Sequence, residues 1–293
     1  MPFVPSRGSL PLTATSPRPD FAQSMGFRGC KIPLPYGPCD GAEGMRRNIE
    51  HLKRVRSVVG PEFPLILDCF MSLTVPYAVE LVRRIASDVR GGVAWLEEPF
   101  LPHAYESFAE LREKVGHLIQ LCSGEHEYSL HGFKQLLERK CVDIIQPDVA
   151  RVGGITETRR IIALARAADI PVCVHGGGNY SLHVQFAFTN CHFGSVMLDS
   201  PTAVYLPQFG GLFLGEPVPA SNGYISLPHA PGFGLTLNRE VGLIRPYQRT
   251  PASFEDIEAV KNARSIPPST YIRLAESIPL GSPPPPDPRS FEQ

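Results

Sequence analysis

Long apolar runs are missing from this sequence. No stretch approaches the roughly 18–20 consecutive apolar residues that cross a bilayer, and residues 1–17 contain several prolines but no apolar core of a signal peptide. Charge of one sign is also scarce: the formal net charge is −1, so nothing favours nucleic acid or an anionic membrane as a partner. We therefore expect a cytoplasmic protein without a membrane or nucleic-acid partner.

Paired cysteines are missing as well. The seven cysteines are odd in number and scattered, and no two are spaced as Cys-x-x-Cys. Several lie inside apolar, strand-like runs, where a cysteine behaves as a small hydrophobe. This pattern argues against a disulfide framework and indicates a reduced, intracellular setting.

The sequence does contain a regular alternation of short apolar runs and amphipathic segments, which predicts strands and helices in turn. Such alternation is typical of a parallel sheet, and eight units predict closure. The predicted fold is an α/β (β/α)8 TIM-type barrel over residues 10–245, with a lead-in at 1–9 and an irregular tail at 246–293 that is Pro-rich and disordered from 281. The predicted strands are 10–16, 28–32, 65–68, 93–97, 118–124, 142–146, 172–175 and 195–198.

Five single residues each end one of these apolar runs, at successive spacings of 23 to 29 positions. One strand and its covering helix take roughly 25–30 residues of a repeating β/α unit. The spacing therefore places each residue at the C-terminal tip of a successive strand, and in a barrel those tips meet on one face. The five residues are Asp68, Glu97, Glu125, Asp148 and His175.

These five residue types predict a particular chemistry. Asp68, Glu97 and Glu125 supply carboxylate oxygens, the ligands that Mg²⁺ prefers. A metal there stabilises the enediolate formed when the proton α to a substrate carboxylate leaves. His175 is the natural base, because imidazole titrates near neutrality, and Asp148 is placed to bond its other nitrogen. Expulsion of a β-hydroxyl then gives a 2-keto-3-deoxy acid. Taken singly, each residue is more often a turn, cap or core-edge residue; the phase that all five share favours a site.

Two further polar residues lie near the predicted tips. His126 follows Glu125 and either faces the same cavity as an acid or hydroxyl donor or packs behind its strand. Lys31, near the end of the second strand, either neutralises the substrate carboxylate or is an exposed lysine. In the pair Glu97-Glu98, one member is open to interpretation as a surface charge.

At these residues the chain resembles the enolase superfamily, in its mandelate racemase-like branch. The segments that carry the resemblance span about residues 12–240 and include LILDCFMS, WLEEP, SGEHEYS, IIQPDVARVGGITE and VCVHGGGNYSLH. The resemblance implies an enolase C-terminal domain-like barrel, a homo-oligomer, and Mg²⁺-dependent dehydration of a small-molecule sugar acid such as L-rhamnonate. The implied residues are Asp68, Glu97 (rather than Glu98) and Glu125 as metal ligands, Asp148 and His175 as the acid/base dyad, and His126 and Lys31 facing the substrate.

Two departures from the family pattern leave alternatives open. The family carries an α+β capping domain before the first barrel strand, and this sequence begins almost at that strand, so an inactive truncated paralogue or a gene fragment is one alternative. The family's eighth strand usually ends in Glu, and Ser195 falls at that position, where its hydroxyl would contact substrate. The stretch Lys31-Ile32-Pro33 lacks the second lysine of racemases; epimerisation or racemisation is a further alternative.

Overall fold

The computed structural model describes residues 9–16, 18–176, 178–199, 204–205 and 211–240. The chain divides into two compact units: a larger one of residues 1–208 with Glu216–Gly234, and a smaller one of Phe209–Gly215 with the residues from Leu235 onward. The predicted tail at 246–293, and all of the predicted lead-in except Ser9, lie outside the described residues.

Strands and helices alternate through the larger unit. In chain order the described strands are β1 (Leu10–Thr15), β2 (Cys30–Pro33), β3 (Leu65–Asp68), β4 (Trp95–Glu97), β5 (Gln120–Ser123), β6 (Ile144–Ile145), β7 (Gly194–Asp199), β8 (Val204–Tyr205), β9 (Phe213–Leu214), β10 (Tyr224–Ile225) and β11 (Thr236–Leu237). The helices are α1 (Pro19–Ser24), α2 (Gly41–Val59), α3 (Val75–Asp88), α4 (Tyr105–Val115), α5 (Ser129–Glu138), α6 (Ile155–Ala167) and α7 (Asn179–Phe186). Within the described part of the chain, no helix has the length and apolarity needed to cross a membrane.

The larger unit is built on a curled parallel sheet. Strands β1 to β6 lie side by side in chain order, and β7 runs parallel to β1 on its other side. The register aligns the carboxyl ends of β3 and β4, with Asp68 opposite Glu97. Short antiparallel strands extend the sheet, β8 beside β7 and β10 beside β1. The predicted α/β class is confirmed. In the smaller unit, β9 pairs with β11 in antiparallel fashion.

The predicted strand at 172–175 is present only as single parallel bridges. Val172 bridges Ile145 on one side and Cys191 on the other, and His175 bridges Asp148. Because β6 itself has only two residues, this segment forms no continuous ladder with it, although the amides of Cys173 and His175 donate hydrogen bonds to the carbonyls of Ile145 and Pro147. The structure therefore shows a curled parallel sheet, and closure into a complete eight-stranded barrel stays a prediction.

Two apolar clusters pack against the two faces of this sheet. Leu65 and Leu67 of β3 are fully buried in the main cluster, which includes the inner faces of the helices. Ile66, which lies between these two leucines, faces the opposite side of the sheet. A second cluster on that side contains Ile66, Trp95, Cys122, Ile144 and Cys173. Strands buried on both faces read as continuous apolar runs, which is why the runs were visible in the sequence. The second cluster forms an apolar floor beneath the polar strand ends.

Predicted boundaries differ from the observed ones where a neighbouring turn takes the first or last residues. Strand β5 is shorter than the predicted 118–124, because the amides of Leu118 and Ile119 still bond to the carbonyl of Val115 at the end of α4. At its other end Gly124 has a φ of 134°, which stops the strand. Strand β3, which ends in a charged residue before a loop, has the predicted bounds.

Arg56 of α2 joins the two loops that lead into β3 and β4, at the opposite end of these strands from their carboxyl tips. Its buried guanidinium donates hydrogen bonds to the backbone carbonyls of Gly60, Phe63, Gly91 and Gly92. We expect Arg56→Met to lower the free energy of unfolding by about 2–4 kcal/mol, because four carbonyls lose a charged donor. Urea denaturation measures this change.

Two variants control for the side chain and the charge. Arg56→Lys should recover only part of the loss, since an ammonium cannot reproduce the planar fork that reaches both loops. Arg83→Met removes an exposed arginine of α3 and should change stability by less than about 0.5 kcal/mol. Equal losses in the two methionine variants would contradict the role assigned to Arg56.

Candidate active site

Lys31 joins the carboxylates at the ends of β3 and β4. Its Nζ lies 3.2 Å from Oδ2 of Asp68 and also pairs with Oε1 of Glu97. All three side chains are buried, and Glu97 is completely inaccessible. Burial alone would lower the pKa of Lys31, but the charges of Glu97 and Asp68 outweigh it and raise the pKa. The lysine therefore carries a positive charge between two carboxylates.

The remaining oxygens of these carboxylates are also bonded. Oε2 of Glu97 accepts hydrogen bonds from Nε1 of Trp95 at 3.1 Å and Nε2 of Gln146 at 3.2 Å. Oδ1 of Asp68 accepts one from the amide of Phe70 at 3.1 Å. Burial raises the pKa of Asp68, and Lys31 offsets only part of that increase. Oδ2 of Asp68 and Oε1 of Glu97 are the oxygens that pair with the ammonium group of Lys31.

Glu125 lies beyond the end of β5 and contacts three cationic or titratable groups. Its Oε2 is 3.1 Å from Nε2 of His175, and its Oε1 is 3.4 Å from Nδ1 of His126. Arg151 donates a 2.9 Å hydrogen bond to the backbone carbonyl of Glu125 and lies 3.8 Å from Oε1. Glu125 thus stands between two imidazoles.

Asp148 and His175 form the predicted dyad. Nδ1 of His175 is 2.7 Å from Oδ2 of Asp148, and Oδ1 of Asp148 accepts hydrogen bonds from the amides of Ala150 at 2.8 Å and Arg151 at 3.1 Å. Burial would raise the pKa of Asp148, but these hydrogen bonds outweigh it and lower the pKa. An ionised Asp148 favours a proton on Nδ1 of His175, and Nε2 of the same ring faces Glu125.

Glu98 is the functional candidate that the sequence interpretation left out. It is 1% exposed, so it is not a surface charge, and its Oε2 lies 3.2 Å from Nδ1 of His126. Its Oε1 accepts hydrogen bonds from Oγ of Ser123 and the amide of Gly124, both at 2.7 Å. Burial raises the pKa of the Glu98 carboxyl against the effect of these donors. Two adjacent glutamates in WLEEP were the available signal.

Enolase C-terminal domain-like proteins, as a family, match residues 20–241 of the chain. The chain belongs to this family. L-rhamnonate dehydratase of Saccharopolyspora erythraea is 44% identical over 245 residues, which is 83% of this chain and 62% of that protein. The crystal structure of L-rhamnonate dehydratase from Gibberella zeae matches with a TM-score of 0.74 and 42% identity, covering 80% of this chain and 59% of that one.

A second crystal structure, of rhamnonate dehydratase from Gibberella zeae complexed with Mg, also matches with a TM-score of 0.74 and 42% identity. The match covers 80% of this chain and 57% of that one. The chain therefore spans about three fifths of the length of these relatives. The membership of the enolase superfamily expected from the motifs is confirmed.

In this member of the enolase C-terminal domain-like family, the predicted site residues fall into two groups. Lys31, Asp68 and Glu97 form one, and Glu125, His126, Asp148 and His175 form the other. As the described side chains stand, no three His, Cys, Asp or Glu residues converge to hold a metal. The chemistry of the donors nevertheless fits a hard cation, because Asp68 and Glu97 already share one positive group through single oxygens.

Ser195 is not brought to the strand tips. It is the second residue of β7 and lies opposite Thr13 of β1, four positions before the strand ends at Asp199. The register instead puts the end of β7 level with the tips. Ser195 was expected at the end of the eighth strand, but the register of β7 with β1 places it before that end. Arg151, which lies in the loop after Asp148, is a second residue that spacing did not single out.

Proposed function

We propose that the chain carries the catalytic domain of a Mg²⁺-dependent acid-sugar dehydratase. Its substrate would be an aldonic acid such as L-rhamnonate, and its product a 2-keto-3-deoxy acid. The observation that carries the proposal is the His175–Asp148 pair, 2.7 Å apart, next to Glu125. The likeness to rhamnonate dehydratases at 42–44% identity supports the substrate class.

Asp68, Glu97 and Glu125 are the residues that would hold the metal. Bound there, Mg²⁺ supplies the positive charge that makes a proton α to a carboxylate acidic enough to remove. Lys31, whose Nζ lies among the same carboxylates, is proposed to face the substrate carboxylate. A substrate-binding role for Ser195 stays a prediction.

His175 moves the protons in this proposal. Its Nε2 accepts the α-proton, while Asp148 holds the proton on Nδ1 and stabilises the imidazolium that forms. The same Nε2–H then protonates the departing β-hydroxyl, which leaves as water. In the overall reaction the C–H bond at the α-carbon and the C–O bond at the β-carbon break, and a double bond forms between these carbons. The resulting enol then tautomerises to the keto acid.

A closed eight-stranded barrel is supported by the two parallel bridges of Val172, one to Ile145 and the other to Cys191. Barrel bounds of 10–245, a homo-oligomer and a cytoplasmic location are likewise proposed.

The test is direct. The purified chain is incubated with Mg²⁺ and a panel of aldonic acids, and 2-keto-3-deoxy products are followed by mass spectrometry. We expect product from an acid of the L-rhamno configuration and none after EDTA treatment. If the folded, metal-bound protein gives no product from any acid, the proposal is wrong, and the alternative of an inactive fragment is favoured. Deuterium uptake at C2 without loss of water would favour an epimerase.

A further inference from the structure

Glu98 occupies an unusual backbone conformation. Its φ is 44°, a left-handed value that costs a non-glycine residue about 1–3 kcal/mol, and Pro99 follows it. The amide of Glu98 donates to the carbonyl of Cys122 at 3.0 Å, and its own carbonyl accepts from Met71 at 2.7 Å. The conformation breaks the usual alternation of a strand, so Glu97 and Glu98 are both buried and both reach polar partners at the strand tips.

The carboxylate of Glu98 divides its two oxygens between two tasks. Oε1 takes two donors from the end of β5, Ser123 and Gly124, each at 2.7 Å. Those bonds fix the plane of the carboxylate. Oε2 is thereby directed at Nδ1 of His126, 3.2 Å away.

Within the part of the chain that the structure describes, His126 has a polar partner at one of its two ring nitrogens. Nδ1 faces the carboxylates of Glu98 and Glu125, at 3.2 and 3.4 Å. Among the described residues, nothing forms a hydrogen bond with Nε2, and the side chain is 30% exposed. Because Ser123 and Gly124 hold the Glu98 carboxylate in place, its Oε2 is set to accept a hydrogen bond from Nδ1, which leaves a lone pair on Nε2.

We infer that Glu98 is a positioning residue that holds His126 with its proton on Nδ1 and presents a bare Nε2 to the site. A bare Nε2 is a hydrogen-bond acceptor, so its ligand is a donor, such as a hydroxyl of a polyhydroxylated acid. This deepens the proposed function and rests on it for the identity of the ligand. It also revises the expectation from the sequence, in which His126 was a donor.

The arrangement parallels the dyad on the neighbouring strand ends. In both pairs a buried or half-buried carboxylate bonds Nδ1, and in both the carboxylate is itself held by donors from its own loop or the next. A carboxylate that merely braced β4 against β5 would need Ser123 and Gly124 but not His126. The tautomer of His126 separates these two roles.

The experiment uses the full chain labelled with ¹⁵N-histidine, at about pH 8, where an ordinary imidazole is neutral. Long-range ¹H–¹⁵N spectra report which nitrogen carries the proton, and loss of signals in His126→Gln assigns the residue. We expect the Nδ1–H tautomer in the wild type. In Glu98→Gln, the amide oxygen keeps Ser123 and Gly124 while the NH₂ group donates to Nδ1, so the proton should move to Nε2.

Glu127→Gln is the matched control. Glu127 is also a buried glutamate and lies in the loop that carries His126, but its carboxylate accepts hydrogen bonds from the hydroxyl of Tyr105 and the amide of Tyr128 and not from the His126 ring. It should leave the tautomer unchanged. A wild-type Nε2–H tautomer, or an unchanged tautomer in Glu98→Gln, would overturn the inference, and the wild-type spectrum decides even if the variant does not fold. Because no substrate is added, the result does not depend on whether dehydration is found.

Discussion

Replacing His175 by Asn is expected to lower the rate of α-proton removal by about 10²–10⁴-fold. The Asn side chain can still donate a hydrogen bond to Asp148, so the loop should keep its place. It has no basic nitrogen, however, to take the proton that Nε2 would accept. Deuterium uptake at C2 of an aldonic acid in D₂O, with Mg²⁺ present, measures this step apart from loss of water.

Asp148→Asn tests the dyad as a unit. The amide would donate to Nδ1 of His175, which moves the imidazole proton to Nε2 and blocks the base, in place of the 2.7 Å contact seen here. Because the two residues act through one proton, the double variant should be no slower than the worse single variant. His131→Asn, an exposed histidine of α5, should have no effect. A His175→Asn variant that keeps more than about a tenth of the rate would show that another base acts.

The strands were predictable because this sheet is buried on both faces. A run such as PLILD has no polar interruption until the chain leaves the sheet, so its end marks the strand tip, and Asp68 lies there. The segment at 172–175 has the same apolar character, yet it forms only bridges. Apolar content decides burial, whereas ladder pairing depends on how the neighbouring backbone curves, which the residues alone do not specify.

The partners of the site residues were less predictable than their positions. Spacing placed Asp68 and Glu97 side by side, but the reach of Lys31 from β2 to both of them is a property of side-chain length and register. Glu98 was hidden because strand alternation would turn it away from Glu97. The positive φ of Glu98 removes that alternation. The sequence Glu98-Pro99 does not predict this backbone conformation.

Lys31→Met is expected to have the largest effect on stability. The substitution keeps most of the stem but leaves Asp68 and Glu97 buried without their shared positive charge. Breaking a buried ion pair by removing one partner costs about 3–5 kcal/mol, whereas an exposed pair is worth about 0–1 kcal/mol. Urea denaturation in the absence of divalent ions should show the loss, and Lys53→Met, an exposed lysine of α2, should not.

Mg²⁺ should restore more stability to Lys31→Met than to the wild type. In the wild type the ammonium already takes Oδ2 of Asp68 and Oε1 of Glu97, so a divalent ion has to share those oxygens with it. Without the lysine, the two carboxylates have no competing cation, and calorimetry should give a dissociation constant for Mg²⁺ lower by about tenfold or more, on the basis of two unit charges a few ångströms apart. Stability that falls in Lys31→Met and is not recovered by Mg²⁺ would mean that these carboxylates are a structural ion pair, and the cation site would have to lie elsewhere on the strand ends.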